Sequence, residues 1–286
     1  MKPIWLFEKD VFEEGIDETI NAVVDQGMKY KIAQYIPMDG GSYADLFPSK
    51  ECVIFYGSLN LGRRLKREAP WVPGVYCDLP KFECTYYYPR LNKFLLNRDC
   101  IMLPFGLLLQ SKENLFKWVG NNNSVFIRPS NGYKTFTGKV CNYETFEKDV
   151  EFLSFYNVTP ETIAIVAEPR NIKVEWRLIV IDSKVVACST YKENRRKVVK
   201  QCSPMDVFEF AKNVVECWQP ESAWVLDVCR TDDGELHLVE INSFSCSGLY
   251  ACDKAAIVKA ASELALREWN EIYEMHQTCE WDTNHS

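Results

Sequence analysis

The sequence has few of the side chains on which many metal-dependent and nucleophile-dependent enzymes rely. Its only three histidines are His237, His276 and His285, too few for the usual histidine-rich metal sites. None of its 12 cysteines forms a Cys-x-x-C pair, and many lie in apolar, strand-like runs. We therefore expect reduced core thiols rather than a disulfide framework or a zinc site. There is also no Ser-His or Cys-His signature of nucleophilic catalysis.

The sequence also lacks a long apolar run and an excess of positive charge. No stretch approaches the roughly 20 apolar residues that span a bilayer, and the first segment, MKPIWLFEKDVFEEG, carries acids where a signal peptide would be apolar. We therefore expect a cytoplasmic protein without a membrane partner. The net charge of -7 argues against broad nucleic-acid binding, which needs a basic face.

The pattern along the 286 residues indicates three parts. Residues 1–114 alternate strands and helices, which is typical of a small α/β domain with a partly parallel sheet. Residues 115–170 read as a small lobe, and residues 171–286 as a larger C-terminal lobe of hairpins and helices. The most distinct predicted elements are the strands Cys52–Tyr56, SVFIRPS, TFTGKVC and Ile163–Ala167, the turns at Ser183-Lys184 and Asp232–Gly234, and the helices Pro204–Cys217 and Lys254–Met275.

The predicted C-terminal hairpin carries polar side chains on adjacent strands. Glu240 and Asn242 are two residues apart, so both project from one face of their strand. Asp227 interrupts the apolar run of the preceding strand, where an uncompensated carboxylate is costly to bury. These oxygen ligands suit Mg²⁺ held jointly with phosphate. A buried hydrogen-bond network, or acids that face solvent at a sheet edge, is the alternative.

The small lobe contains a basic, glycine-containing turn. Arg128 follows the strand Val125–Ile127, and Lys134 lies beyond the Ser130–Gly132 turn. The chain continues through the small residues Thr135, Thr137 and Gly138. Such a turn lets backbone N–H groups approach phosphate oxygens while Arg and Lys neutralise the charge. An exposed hairpin that happens to carry a lysine produces the same pattern.

Two carboxylates and an arginine lie around the predicted junction of the lobes. Glu168 ends an apolar strand just before Pro169, a rigid exit between lobes. Glu175 and Arg177 then share one face of the next strand. A carboxylate can bind two ribose hydroxyls, and an arginine can reach a polyphosphate or a carboxylate substrate. A Glu-Arg pair on a solvated sheet face is the plainer interpretation.

Taken in chain order, three segments resemble the ATP-grasp family over about residues 115–270. They are VFIRPSNGYKTFTG, AEPRNIKVEWRLIVIDSKVV and WVLDVCRTDDGELHLVEINSFSCSGLY. The last is the most specific, since an Asp strand followed by E-x-N on the next strand is the family's metal-binding signature. FIRPSNGYKTFTG resembles the phage- and conflict-associated branch named for one arginine and two lysines. The implied fold is α/β (α+β): an N-terminal small α/β domain followed by two lobes whose antiparallel sheets clasp ATP.

The resemblance also implies roles for particular residues. The ATP contacts would be Arg128 and Lys134 on the phosphates, the loop of Thr135, Thr137 and Gly138 above them, Glu168 and Pro169 at the adenine hinge, and Glu175 on the ribose. Asp227, Glu240 and Asn242 would carry Mg²⁺. Arg177 and Lys134 would be catalytic, with Arg177 on the γ-phosphate or acyl phosphate. Arg128 stands where many members of the family have a lysine, which leaves its role on the adenine or the phosphate side open.

The implied reaction joins a carboxylate to an amine, with ATP and Mg²⁺ as cofactors and an acyl phosphate as intermediate. The substrates would be small molecules, peptides or a protein tail. Four residues just past Asn242 are candidate substrate contacts: Ser245, Ser247, Gly248 and Tyr250. A plain loop interpretation of SFSCSGLY fits the same residues equally well.

Several alternatives stay open at the level of sequence. The chain could be a phosphotransferase acting on a hydroxyl, or a non-catalytic module that binds ATP for sensing or interaction. An RNA-modifying role would need Arg63–Arg67 and Arg195–Lys197 to form a groove, although such runs are more often solvated helix faces. ATP-grasp ligases are often dimers, so a homodimer is also open.

Overall fold

Three β-sheets and seven α-helices form the described part of the chain. The computed structural model describes residues 1–12, 15–37, 41–133, 135–156 and 158–282, with side chains described as far as residue 273. Within these ranges, no helix combines the length and the apolar character needed to cross a membrane. Every cysteine whose side chain is described is a free thiol.

The N-terminal sheet is entirely parallel, with strand order β2-β1-β3-β4. Its strands are β1 (Ile4–Glu8), β2 (Lys29–Ala33), β3 (Cys52–Tyr56) and β4 (Val72–Gly74), and its helices are α1 (Ile16–Asp25) and α2 (Leu59–Glu68). The predicted strand at β3 is confirmed and is buried along its whole length. From β1 the chain continues to β2 on one side, and from β3 to β4 on the other. The carboxyl ends of β1 and β3 therefore meet at the point where the strand order reverses.

The second sheet is antiparallel, with strand order β5-β8-β6-β7. A short helix, α3 (Cys84–Leu91), precedes it, and its other elements are β5 (Cys100–Pro104), α4 (Lys112–Val119), β6 (Ser124–Pro129), β7 (Lys139–Asn142), α5 (Phe146–Ser154) and β8 (Ile163–Ala167). One face of the sheet forms a core with α4 and α5. Because β5 pairs with β8, this sheet includes a segment before residue 115. The divisions at residues 115 and 171 stay predictions.

The third sheet is antiparallel, with strand order β11-β10-β9-β12-β13. Its elements are β9 (Ile172–Ile181), β10 (Lys184–Glu193), β11 (Arg196–Gln201), α6 (Met205–Cys217), β12 (Ala223–Thr231), β13 (Leu236–Ser243) and α7 (Lys254–Asp282). α6 packs on one face of this sheet. α7 packs on the other face and also against β1 and β3, so it joins the third sheet and the N-terminal sheet in one core.

Two local predictions were wrong. The strand predicted from Thr135 begins only at Lys139, because Thr135 turns back and its hydroxyl donates to Asn131 Oδ1 at 2.8 Å. The turn predicted at Ser183-Lys184 lies one residue earlier, at Asp182 and Ser183, which both have positive φ as in a type I′ hairpin.

The basic run Arg195–Lys197 lies in a hairpin rather than on a helix face. Asn194 and Arg195 form a second hairpin turn with positive φ, and β11 begins at Arg196. β11 lies at the edge of the sheet and is largely exposed, so it lacks the apolar alternation that indicates a strand.

Candidate active site

A cluster of charged side chains lies on three adjacent strands of the third sheet. The register places Asp227 on β12 opposite Arg177 on β9 and opposite Glu240 on β13. Arg177 binds Asp227 through two hydrogen bonds, from Nε to Oδ1 at 2.9 Å and from Nη2 to Oδ2 at 2.7 Å. This bidentate geometry fixes both groups. It also compensates Asp227, which is only 1% exposed.

A second arginine reaches this cluster from the second sheet. Arg128 on β6 donates from Nη2 to Glu240 Oε2 at 2.8 Å and from Nη1 to the Val239 carbonyl at 3.2 Å. Asn242 lies between the two carboxylates, and its Nδ2 is 3.1 Å from Glu240 Oε1 and 3.3 Å from Asp227 Oδ2. The five side chains form one continuous network that we call the charge cluster: Arg128, Glu240, Asn242, Asp227 and Arg177. It spans the boundary between the second and third sheets.

Both arginines of the charge cluster are firmly protonated. Burial alone would lower the pKa of Arg177, but the Asp227 carboxylate raises it above its usual value. Burial likewise opposes the charged form of Arg128, while the neighbouring Cys84 and Glu240 raise its pKa well above the usual range. The cluster therefore holds two positive and two negative charges away from bulk water.

Two stacked tyrosines hold the Arg177 side chain from the side. The rings of Tyr191 and Tyr250 lie 5.1 Å apart with an interplanar angle of 7°. The Arg177 guanidinium lies 4.9 Å from the Tyr250 ring centroid and 5.7 Å from that of Tyr191. Its Nη1 also donates to the Gly248 carbonyl at 2.9 Å. Arg177 is therefore oriented by a carboxylate, a carbonyl and two aromatic faces.

Glu175 lies next to this arrangement on β9. Its carboxylate accepts a hydrogen bond from the Tyr191 hydroxyl at 2.7 Å and pairs with Lys192 Nζ at 2.9 Å. Glu175 is buried, whereas Lys192 is half-exposed. The acid predicted for the ribose is therefore held in a fixed position close to Arg177. The sequence interpretation did not include Tyr191. The available signal was a tyrosine beside Lys192 on a strand, because its hydroxyl can bind a polar partner while its ring packs against apolar groups.

The remaining predicted ATP residues lie on the second sheet and at the junction. Glu168 follows β8, and its side chain accepts from Asn121 Nδ2 at 2.5 Å and pairs with Arg170 at 3.1 Å. Pro169 begins the connection to β9. Thr135 turns back onto Asn131, while Thr137 and Gly138 are exposed just before β7. Lys134 lies outside the described residues.

A cavity of about 190 Å³ opens beside the charge cluster. Arg177 and Asn242 form part of its polar wall, with Ser247 and Gly248 from the loop after β13. Its apolar wall comes from α2, from the segment before α3 and from the turn before β7, with the side chains Leu59, Leu79, Phe82 and Tyr133. The cavity thus lies between the third sheet, helix α2 of the N-terminal domain and the turn between β6 and β7. The sequence showed no sign of the apolar wall, since these residues are far apart along the chain.

The four candidate substrate residues divide into two pairs with respect to this cavity. Ser247 and Gly248 line it. Ser245 lies behind it, fully buried, where its Oγ accepts the backbone N–H of Tyr76 at 2.9 Å and its carbonyl accepts that of Gly57 at 2.9 Å. The ring of Tyr250 packs against the guanidinium of Arg177. Ser245 therefore joins the C-terminal loop to the N-terminal domain.

The chemistry of Asp227, Glu240 and Asn242 fits Mg²⁺. All three carry side-chain oxygens on neighbouring strands, and the Asn242 Nδ2, rather than its Oδ1, faces both carboxylates in this arrangement. No group of three or more His, Cys, Asp and Glu side chains suited to a metal occurs among the residues that the structure describes. A cation held here would complete its coordination with other oxygens, such as those of a phosphate.

Comparisons with known proteins identify a matching family model and several similar folds. A family model described as ATP-grasp domain, R2K clade family 2, matches residues 111–260 of the 286. The fold is similar to that of D-cycloserine synthetase DcsG, with 12% identity, a TM-score of 0.66, and 92% of this chain and 99% of that chain covered. It is also similar to the ATP-grasp ligase PsnB complexed with minimal precursor, at 11% identity and a TM-score of 0.60, with 91% and 98% covered.

A third similar structure is the RimK domain protein ATP-grasp from Sphaerobacter thermophilus, at 12% identity and a TM-score of 0.55. That comparison covers 92% of this chain and 96% of that chain. No curated protein sequence matches the chain. At these identities the similar structures show a shared fold, with mixed α/β content and antiparallel sheets, as the sequence predicted.

Proposed function

The chain belongs to the ATP-grasp domains of R2K clade family 2, and on this premise we propose that it is an ATP-dependent carboxylate-amine ligase. The single observation that carries the proposal is the charge cluster, in which two guanidinium groups and two carboxylates compensate each other beside a cavity. The similar structure of PsnB with Mg and ADP supports ATP and Mg²⁺ as cofactors.

The pairing within the charge cluster suits an exchange of partners on nucleotide binding. Without a nucleotide, each carboxylate is satisfied by an arginine, which avoids the large cost of an unpaired buried charge. With Mg-ATP, the guanidinium of Arg128 can turn to phosphate oxygens while Glu240 turns to the cation, and Arg177 keeps its place on Asp227. Every charge then keeps an opposite partner, so little electrostatic energy is lost in the exchange.

The proposed chemistry consists of two steps. A substrate carboxylate oxygen attacks the γ-phosphorus of ATP, the bond to the β-phosphate oxygen breaks, and ADP leaves an acyl phosphate. An amine then attacks the acyl carbon, loses a proton to solvent or a carboxylate, and expels inorganic phosphate. Mg²⁺, when bound, would neutralise phosphate charge. Arg177 would stabilise the transferring phosphoryl group from its fixed orientation, which requires no rearrangement during the reaction.

The nucleoside end would lie toward the junction of the second and third sheets. Glu175 is held beside Arg177 and can accept hydrogen bonds from ribose hydroxyls. The Glu168 carboxylate is bound by Asn121 and Arg170. The backbone of Glu168, next to Pro169, would therefore be the part that contacts adenine. The loop of Thr135, Thr137 and Gly138, with Lys134, would cover the phosphates.

The test is ADP release with a panel of carboxylic acids in the presence of hydroxylamine, which traps acyl phosphates as hydroxamates. We expect acid-dependent hydroxamate in the wild type, its loss in Glu240→Gln, and its retention in Glu235→Gln, an exposed acid at the start of the same strand region. ADP release with a hydroxyl acceptor and no hydroxamate would instead favour a phosphotransferase. ATP binding without ADP release would favour a sensing or interaction module.

Other parts of the proposal rest on the sequence alone. The association with phage and conflict systems follows from the resemblance of FIRPSNGYKTFTG to that branch. A cytoplasmic location, a homodimer and the division into residues 1–114, 115–170 and 171–286 remain predictions. Peptides or small molecules stay the proposed substrate classes, in line with the precursor bound by PsnB and with the name of D-cycloserine synthetase.

A further inference from the structure

Glu8 is a buried carboxylate with no cationic partner among the described residues. It is the last residue of β1 and is 4% exposed. Its one hydrogen bond within the described ranges comes from the backbone N–H of Ser58, which donates to Oε2 at 2.6 Å. A buried carboxylate is costly unless a positive charge compensates it. Asp227 and Glu240 both pair with an arginine, whereas no cation among the described residues pairs with Glu8.

The position of Glu8 is typical of a ligand site. It lies at the carboxyl end of β1, beside the end of β3, where the strand order of the N-terminal sheet reverses. Parallel sheets bind their ligands outside such a point. Gly57 follows β3 and makes room for Glu8, because a Cβ at residue 57 would lie 2.5 Å from Glu8 Cβ. The glycine at residue 57 therefore leaves the space that the Glu8 side chain occupies.

Glu8 also lies next to the cavity beside the charge cluster. Its hydrogen-bond donor Ser58 directly precedes Leu59, which lines the cavity. The Ser58 carbonyl accepts from the thiol of Cys246, another lining residue, at 3.6 Å. The only fully enclosed side-chain oxygens or nitrogens without a partner in the described ranges are Tyr88 Oη and Glu221 Oε2. Glu8 Oε1 is not among them, so this oxygen is not fully enclosed by the described residues.

We infer that Glu8 binds the ammonium group of an amino acid whose carboxylate is activated beside Arg177. The inference rests on the proposed function and specifies the class of its acid substrate. The cavity of about 190 Å³ corresponds to roughly six water volumes, which suits a molecule of amino-acid size. Glu8 and Arg177 supply the two charges that a zwitterion needs, and the apolar wall of Leu59, Leu79 and Phe82 accepts a small side chain.

The test compares amino acids with the matching α-hydroxy acids, which keep the carboxylate but replace the ammonium by a hydroxyl. The probes are glycine and both enantiomers of alanine, serine, leucine and phenylalanine, against glycolate, lactate and the corresponding hydroxy acids. Each is titrated into the full chain saturated with Mg²⁺ and the non-hydrolysable analogue AMPPNP, and the apparent Kd is read from the thermal shift. We expect at least one amino acid to bind about tenfold or more tightly than its hydroxy acid, since a charged hydrogen bond is stronger than a neutral one.

Two variants make this test specific. Glu8→Gln keeps an oxygen for the Ser58 N–H and removes the charge, so it should melt at nearly the wild-type temperature and lose the preference for amino acids. Asp10→Asn is the matched control, because Asp10 is exposed and has a φ of 60°, which Asn adopts readily. It should keep the preference.

The inference is overturned if no amino acid binds more tightly than its hydroxy acid, or if Glu8→Gln retains the preference. The response to AMPPNP alone separates this failure from that of the proposed function. A nucleotide shift without an amino-acid preference removes only the role of Glu8. The absence of any nucleotide shift removes the proposed function and this inference together.

Discussion

At the scale of single residues, the two arginines of the charge cluster differ in what holds them. Arg177 has a bidentate carboxylate, a carbonyl and two stacked tyrosines around it. Arg128 is bound to one oxygen of Glu240 and to the Val239 carbonyl, and it connects two sheets. A rigid cation suits the stabilisation of a transferring group. Arg128 bridges the second and third sheets, which places it to bind a phosphate that enters between them.

Arg177→Lys should separate catalysis from nucleotide binding. Lysine keeps the charge but cannot bond both Asp227 oxygens or stack as a flat group. We expect kcat to fall by about 100-fold or more, as for the loss of one preorganised donor, with the Kd of ATP changed by less than about threefold. Steady-state rates and equilibrium titration measure the two effects. A selective loss of ATP binding would contradict the role proposed for Arg177.

Glu175→Gln should reveal whether this acid contacts the ribose. We expect the KM of ATP to rise about tenfold, since charged hydrogen bonds are the stronger ones, while 2′,3′-dideoxy-ATP is unaffected. The comparison of the two nucleotides isolates the hydroxyl contacts. Glu193→Gln is the control, because Glu193 lies on the adjacent strand and pairs with Lys200. Equal effects on both nucleotides would assign Glu175 to the support of Tyr191 and Lys192 alone.

At the scale of elements, the N-terminal domain contacts the third sheet through a second buried acid. Glu221 lies in the connection between α6 and β12, and its Oε1 is 3.6 Å from Lys66 on α2. Its Oε2 is enclosed without a partner. Burial raises the pKa of Glu221 to about 8, although Lys66 opposes the shift. This contact is therefore sensitive to pH.

Glu221 should reduce stability as the pH rises. Between the unfolded pKa near 4.5 and the folded pKa of about 8, the folded state keeps a proton that the unfolded state has lost. The free energy of unfolding therefore falls through this window, by about 4 kcal/mol. Glu221→Gln should unfold like the wild type at pH 4.5 and resist urea better at pH 8. A constant difference between the two proteins across this range would show that Glu221 does not titrate as described.

Buried elements were predicted more accurately from the sequence than exposed ones. The strands β3 and β8 have continuous apolar runs, CVIFY and IAIVA, and were predicted with their observed ends. β11 was missed because RKVVKQ is an exposed edge strand. The hairpin of β12 and β13 was predictable because alternation places Glu240 and Asn242 on one face.

At the scale of the whole molecule, the sequence could not show how distant segments meet. The pairing of Arg128 with Glu240 joins residues 112 positions apart, and no local pattern predicts such a contact. Glu8 was unremarked because an acid at the end of a strand is common. That no cation among the described residues pairs with Glu8 became evident only when the ends of β1, β3 and the loop after β13 were brought together.

The measurement that tests the central claim most directly is a thermal-shift titration of the chain with ATP, ADP and GTP, with and without Mg²⁺. A ligand that binds only the folded state raises the melting temperature as its concentration exceeds the Kd. The account predicts a Mg²⁺-dependent rise with ATP that is lost in Glu240→Gln and retained in Glu235→Gln. No shift with any nucleotide, or a shift with ATP that is indifferent to both Mg²⁺ and Glu240, would contradict it.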